Sequence, residues 1–150
     1  MAPWSTDSFV KSSDDCLNYL TTSFYGKCLN VGTGAGFSLL AMIKNPQITQ
    51  IHTTDEMEIF NKIPAGLNDS RVIVRKWGAL ADKFDCVFVD SIQGRIKLAE
   101  HYCSSGALTI IDDCLIFPFK EEIDKKLRIN ILSTQKYGFA QVVGVVGQVP

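Results

Sequence analysis

The stretch Cys28-Leu-Asn-Val-Gly-Thr-Gly-Ala-Gly-Phe-Ser-Leu-Leu40 decides the fold. Its first residues, with Lys27, form a short apolar run of the kind that becomes a buried strand. The run ends in Gly32-Thr33-Gly34-Ala35-Gly36, after which residues 37–44 read as a helix that Asn45-Pro46 stops. Strand, glycine loop and helix open a parallel βαβ unit. Such a loop turns tightly, lets the backbone approach a ligand, and aims the first amides of the helix at a polar or anionic group. A dinucleotide fingerprint, G-x-G-x-x-G, requires glycine at position 37, where this chain has Phe37, so a nicotinamide oxidoreductase is a distant reading.

Working outward, the alternation continues. Residues 7–24 read as an opening helix, with Phe9, Val10, Leu17, Leu20 and Phe24 near helical spacing. A strand over 48–54 runs into Asp55, and 56–63 reads as a short helix closed by Pro64 and Gly66. Strands follow at 71–76 and at 84–89, the second ending in Asp90. A helix from about 92 to 103 precedes Gly106 and a strand over 107–111 that ends in Asp112-Asp113. Pro118 suits the first turn of a last helix reaching about Gln135, and 139–149 is β-rich but broken by Gly144 and Gly147. Cys86-Val87-Phe88-Val89 and Leu108-Thr109-Ile110-Ile111 are continuous apolar runs, the sort buried on both faces. The expected fold is α/β and doubly wound, with a mostly parallel sheet in one domain spanning 1–150. So few residues follow Gln135 that no full terminal antiparallel hairpin is expected. The sheet edge left open would favour pairing with a second copy, giving a homo-oligomer.

The 150 residues carry 15 Lys+Arg against 16 Asp+Glu, a net charge of -1, with 46% hydrophobic and 21% charged residues. That is enough chain for a real core, and the near-neutral charge points away from nucleic acid and anionic lipid. No apolar run reaches the length of a membrane span, and Met1-Ala2-Pro3-Trp4-Ser5 lacks the look of a signal peptide. Cys16, Cys28, Cys86, Cys103 and Cys114 show no metal or disulfide spacing and read as small buried hydrophobes. Asn68-Asp69-Ser70 then matches the glycosylation pattern by chance, and the expected location is cytoplasmic.

In a doubly wound sheet ligands sit beyond the carboxyl ends of the strands, where the suggestive residues fall. Asp55 lies 19 residues past Gly36 and can accept both hydroxyls of a ribose. It can also cap the helix that begins at Glu56.

The G-x-G-x-G spacing, and Gly36-Phe37-Ser38 in particular, resembles the first motif of class I methyltransferases that use S-adenosylmethionine (SAM), in the catechol and caffeoyl-CoA O-methyltransferase branch. Trp77-Gly78-Ala79, Phe84-Asp-Cys-Val-Phe-Val-Asp90 and Gly106-Ala-Leu-Thr-Ile-Ile-Asp-Asp113 agree in order and spacing. The resemblance covers about residues 25–117. It implies a Rossmann-like core that moves a methyl group from SAM to an oxygen or nitrogen of a small-molecule acceptor. Gly32, Thr33, Gly34, Gly36 and Ser38 would then line the methionine and ribose part of SAM, with Asp55 and its neighbour Glu56 at the ribose. Trp77, Gly78 and Ala79 would lie along the adenine, although Trp77 also suits the core. Asn30 stands where the family has Glu or Asp to hold the loop and meet the amino group of SAM.

The branch also implies Asp90, Asp112 and Asp113 as ligands of Mg²⁺ or another hard divalent ion. Three converging carboxylates repel one another unless a cation or protons offset them. Asp90 would face the reacting methyl group, and Gln93 takes the place of the branch's lysine base. Glutamine takes no proton, but methyl transfer from a sulfonium depends mainly on in-line geometry. Lys97 and His101 read as solvated helix residues. Two competing readings keep the SAM site: cleavage of SAM or aminopropyl transfer, and a non-catalytic binding or interaction module, which Asn30, Gln93 and a short lid favour.

Overall fold

A computed structural model describes residues 11–78 and 82–147. The expectations for Phe9, Val10 and Ala79 lie outside the described residues. Helix α1 (Asp14–Ser23) starts at Ser13, whose hydroxyl accepts the Cys16 amide at 3.2 Å. Then come β1 (Gly26–Val31), α2 (Phe37–Ile43), β2 (Ile48–Thr54) and β3 (Val72–Val74). They are followed by β4 (Cys86–Val89), α3 (Arg95–Ser104), β5 (Leu108–Asp112) and α4 (Phe119–Lys126), and the chain closes with β6 (Leu127–Ser133) and β7 (Phe139–Val145).

The seven strands run in the order β3-β2-β1-β4-β5-β7-β6, parallel except for β7, which is antiparallel to both neighbours. Strict side-chain alternation divides the core. Cys28, Cys86, Phe88 and Ile110 point to the face covered by α1 and α2, with Cys16, Leu20, Leu39 and Met42. Leu29, Val31, Val87 and Val89 point to the other face, with Tyr102 of α3. There Ile111 also packs with Ile96, Ala99 and Ile123 of α3 and α4. All five cysteines are free, and four of them are buried. Among the described residues no helix is long and apolar enough to cross a membrane.

The register positions the site. Val31 pairs with both Thr54 and Val89, and Val89 pairs with Ile111. Gly32, Asp55, Asp90 and Asp112 therefore emerge at one level, on the carboxyl edge, around the point between β1 and β4 where strand order reverses.

Two expectations fail, each for a local reason. The helix expected over 56–63 is only a 3-10 turn, Glu58–Phe60. The Asp55 carboxylate takes the Met57 amide at 2.8 Å, and Asn61 accepts the Asp55 amide at 3.0 Å while donating to the Arg75 carbonyl at 3.0 Å. Side chains thus take backbone groups that a helix would have used. The last helix ends at Lys126 rather than near Gln135, because Leu127-Arg128-Ile129-Asn130-Ile131 alternates with period two and carries β-branched residues. That segment pairs with β7, so a complete antiparallel hairpin is present. The edge of β5 that would have been open to a second copy is covered by β7, and among the described residues the outermost strands are β3 and β6.

Candidate functional site

Gly32 has φ 111°, and a Cβ there would lie 2.3 Å from the Asp90 carbonyl oxygen. Gly36 has φ 102°, and its Cβ would lie 2.8 Å from Leu67 and 2.9 Å from Pro64. The close approach that these glycines permit is thus to the protein's own backbone and to the loop after β2. Gly34 donates its amide to Asp55 Oδ2 at 2.9 Å, while Asp55 Oδ1 holds Met57. Asp55 therefore caps a turn and also ties the end of β2 to the glycine loop. Each of its oxygens keeps a second lone-pair site for a ligand hydroxyl.

Beneath the loop lies a buried polar network. Ser38 donates to Asn30 Oδ1 at 3.0 Å, Asn30 Nδ2 donates to Thr53 Oγ1 at 3.2 Å, and the Thr33 and Thr53 hydroxyls are 2.6 Å apart. Asn30 is fully buried, so in this structure it locks β1, β2 and α2 together and does not reach the cleft. A carboxylate at that position would bring a charge into the same dry space and would have no group to donate to Thr53 Oγ1. Above the network a slot of about 20 Å³ remains between the glycine loop, Asp90, Lys11 and Ser12.

Glu56 spans the cleft mouth. Its carboxylate accepts the amides of Ile92 at 2.7 Å and Gln93 at 2.8 Å, joining the end of β2 to the end of β4. Beyond this bridge lies a cavity of about 400 Å³ walled by Trp77, Gly78, Gln93, Leu98 and Tyr102. Trp77 also packs on the Leu29–Val89 cluster, so it serves core and cavity together. Lys97 and His101, expected to be merely solvated, stand on the cavity rim.

Asp90, Asp112 and Asp113 do converge, with one oxygen of each lying within 4.8 Å of the others. The residue that sequence reasoning missed is Arg95. Its side chain is 3% exposed, and its guanidinium lies 3.3 Å from Asp90 Oδ1 and 3.6 Å from Asp113 Oδ2. It also donates to the carbonyls of Ser91 and Asp112 and stacks on Phe119, 4.3 Å from the ring centroid. The one available signal was the spacing: Arg95 opens the helix five residues after Asp90. Ser12 donates to Asp112 Oδ2 at 2.8 Å, and the Asp113 amide donates to Asp112 Oδ1 at 2.9 Å.

Burial, and then the neighbouring carboxylates, push Asp90 well above the usual carboxylate range and Asp112 up to about 7. Burial raises Asp113 as well, against the pull of Arg95. In the unfolded chain these groups ionise near the ordinary aspartate value, about 3.9. Above it the folded form holds protons that the unfolded form has lost, so stability falls as pH rises from about 4 toward 7. Asp112→Asn is therefore expected to flatten the melting temperature between pH 5 and pH 8, relative to the parent protein. An unchanged pH slope would remove Asp112 as its source.

The seven-stranded order, the antiparallel β7 inserted between β5 and β6, and a glycine loop joined to an acid after β2 define the class I methyltransferase fold. No protein-family model matches the chain, and no curated protein matches its sequence. Solved structures do. A provisionally named caffeoyl-CoA O-methyltransferase from Staphylococcus aureus has a TM-score of 0.62 at 16% identity, over 89% of this chain and 85% of its own. The SAH-bound methyltransferase PaMTH1 of Podospora anserina has 0.58 at 18%, over 93% and 82%. A provisionally named O-methyltransferase from Klebsiella pneumoniae has 0.58 at 17%, over 88% and 81%. The likeness is one of fold.

Proposed function

We propose that this chain is a SAM-dependent methyltransferase that acts on an oxygen or nitrogen of a small molecule. The observation that carries the reading is the bond between Gly34 and Asp55, which builds the glycine loop and the acid after β2 into one surface within this fold. SAM supplies a methyl group already activated on a sulfonium. The chain's own task is to hold donor and acceptor in line.

The residues fit such a donor in order along the cleft. Asp55 takes the ribose hydroxyls with its unused lone pairs. The apolar wall of Trp77, Leu98 and Tyr102 seats the adenine beyond Glu56, with Gly78 beside it. Gly32 to Gly36 line the methionine end, where Asp90 stands. Thr33, Ser38 and Asn30 act from below, holding the loop in shape. Asp90 stands beside the methionine end, where it can help to position the acceptor, and Gln93 at the cleft mouth can orient the acceptor through hydrogen bonds. The reading includes no divalent ion, because Arg95 already sits among the three carboxylates.

A non-catalytic adenosyl-binding module is the second reading, favoured by Gln93 and by the narrow slot beside Ser12. Calorimetric titration with SAM and with S-adenosylhomocysteine tests both, and micromolar binding of the two is expected. Incubation of SAM with candidate acceptors should then release S-adenosylhomocysteine. Release of methylthioadenosine would instead mean cleavage or aminopropyl transfer, and binding without any product would favour the module. No binding by the folded protein would remove the adenosyl reading altogether.

A further inference from the structure

We infer that Arg95 is the resident cation of the Asp90–Asp112–Asp113 cluster and the positioning residue for its carboxylates, so that the cluster takes up no divalent metal. A hard ion that keeps part of its water still needs carboxylate oxygens turned toward it, and most of those here already face donors. Asp112 spends Oδ1 on the Asp113 amide and Oδ2 on the Ser12 hydroxyl. Asp90 Oδ1 and Asp113 Oδ2 face the guanidinium. The oxygens that face none of these donors are the other ones of Asp90 and Asp113, and an ion on them would lie against a buried positive charge.

Arg95 cannot swing away at low cost. Its Nε donates to the Ser91 carbonyl at 2.6 Å, and Nη1 donates to the Asp112 carbonyl. The side chain therefore fastens the loop after β4 to the end of β5, and departure would leave both carbonyls and the charge itself unpaired in a buried place. Phe119 closes the opposite face of the guanidinium. Arg95 thus does two things that an ion would do: it offsets carboxylate charge, and it fixes the directions of Asp90 and Asp113.

The inference rests on the methyl-transfer reading only for what the cluster faces. Its test uses Mn²⁺ alone, without SAM, so the two can fail separately. Mn²⁺ is titrated into the full chain and followed by electron paramagnetic resonance and calorimetry, with circular dichroism to establish folding. The parent protein and Arg95→Lys, which retains a cation, are expected to leave millimolar Mn²⁺ free. Arg95→Met, which removes the cation, is expected to take up one Mn²⁺ per chain and to gain thermal stability from it. Adding Asp113→Asn to Arg95→Met should abolish that uptake. A merely structural Arg95 would produce no such gain. The inference is overturned if the parent binds one Mn²⁺ per chain and Asp113→Asn abolishes it, or if folded Arg95→Met binds none. Should Arg95→Met not fold, the parent and Arg95→Lys decide: no uptake supports the inference, and uptake lost in Asp113→Asn overturns it.

Discussion

Gly32→Ala is expected to abolish S-adenosylhomocysteine binding and to destabilise the fold by about 2–5 kcal/mol. Two costs combine at this position. The backbone φ of 111° is one that an L side chain rarely adopts, and the new Cβ would fall 2.3 Å from the Asp90 carbonyl oxygen. Backbone on both sides leaves no flexible atom to move aside. Relief requires β1 and β4 to separate at their carboxyl ends, where Val31 pairs with Val89. Gly32, Asp55 and Asp90 would then no longer share one level. For a domain of this size the melting temperature should fall by roughly 5–15 °C. A variant that melts within a degree of the parent and binds normally would show that the loop is less constrained than its geometry indicates.

The second large effect is expected at Asp55. Asp55→Ala should weaken S-adenosylhomocysteine binding about 100-fold. Two charge-assisted hydrogen bonds to a ribose, at about 1.5–3 kcal/mol each, account for that loss even after partial compensation by water. The existing bonds to Gly34 and Met57 complicate the reading, because alanine also removes the tie between loop and turn. Asp55→Asn is the milder change. Asparagine caps a turn about as well as aspartate but offers a single acceptor oxygen and no charge. With the Gly34 amide on one Asp55 oxygen and the Met57 amide on the other, asparagine keeps only one of the two bonds, so it should melt below the parent but above Asp55→Ala and lose about tenfold in affinity. If both variants bind as the parent does, Asp55 is a turn cap and the ribose site lies elsewhere.

Much of this architecture was legible in the chain, and the legible parts share a cause. β2 forms over the residues expected, 48–54, and β1, α2 and β5 come within a residue or two at each end, because their apolar runs and the glycine and proline punctuation are local signals. The convergence of Asp90, Asp112 and Asp113 was legible too, since each acid directly follows or ends a strand of one parallel sheet. The terminal hairpin was not. Residues 127–133 follow a genuine helix without a break, and their alternation gains its meaning only from β7 beside them.

The site divides in the same way. Sequence by itself determined the chemical inventory at the sheet edge: a glycine loop, an acid after the second strand and three further carboxylates. Which of these groups face one another was decided only by tertiary structure. Packing turned Asn30 and Ser38 downward into a network with Thr53, bent Glu56 across to the amides of Ile92 and Gln93, and drove Arg95 into the carboxylates. Hydrophobic periodicity is written along a chain because it repeats every two or 3.6 residues. The partner of a buried polar group is not, because desolvation obliges that group to bond with whatever the completed fold brings within about 3 Å.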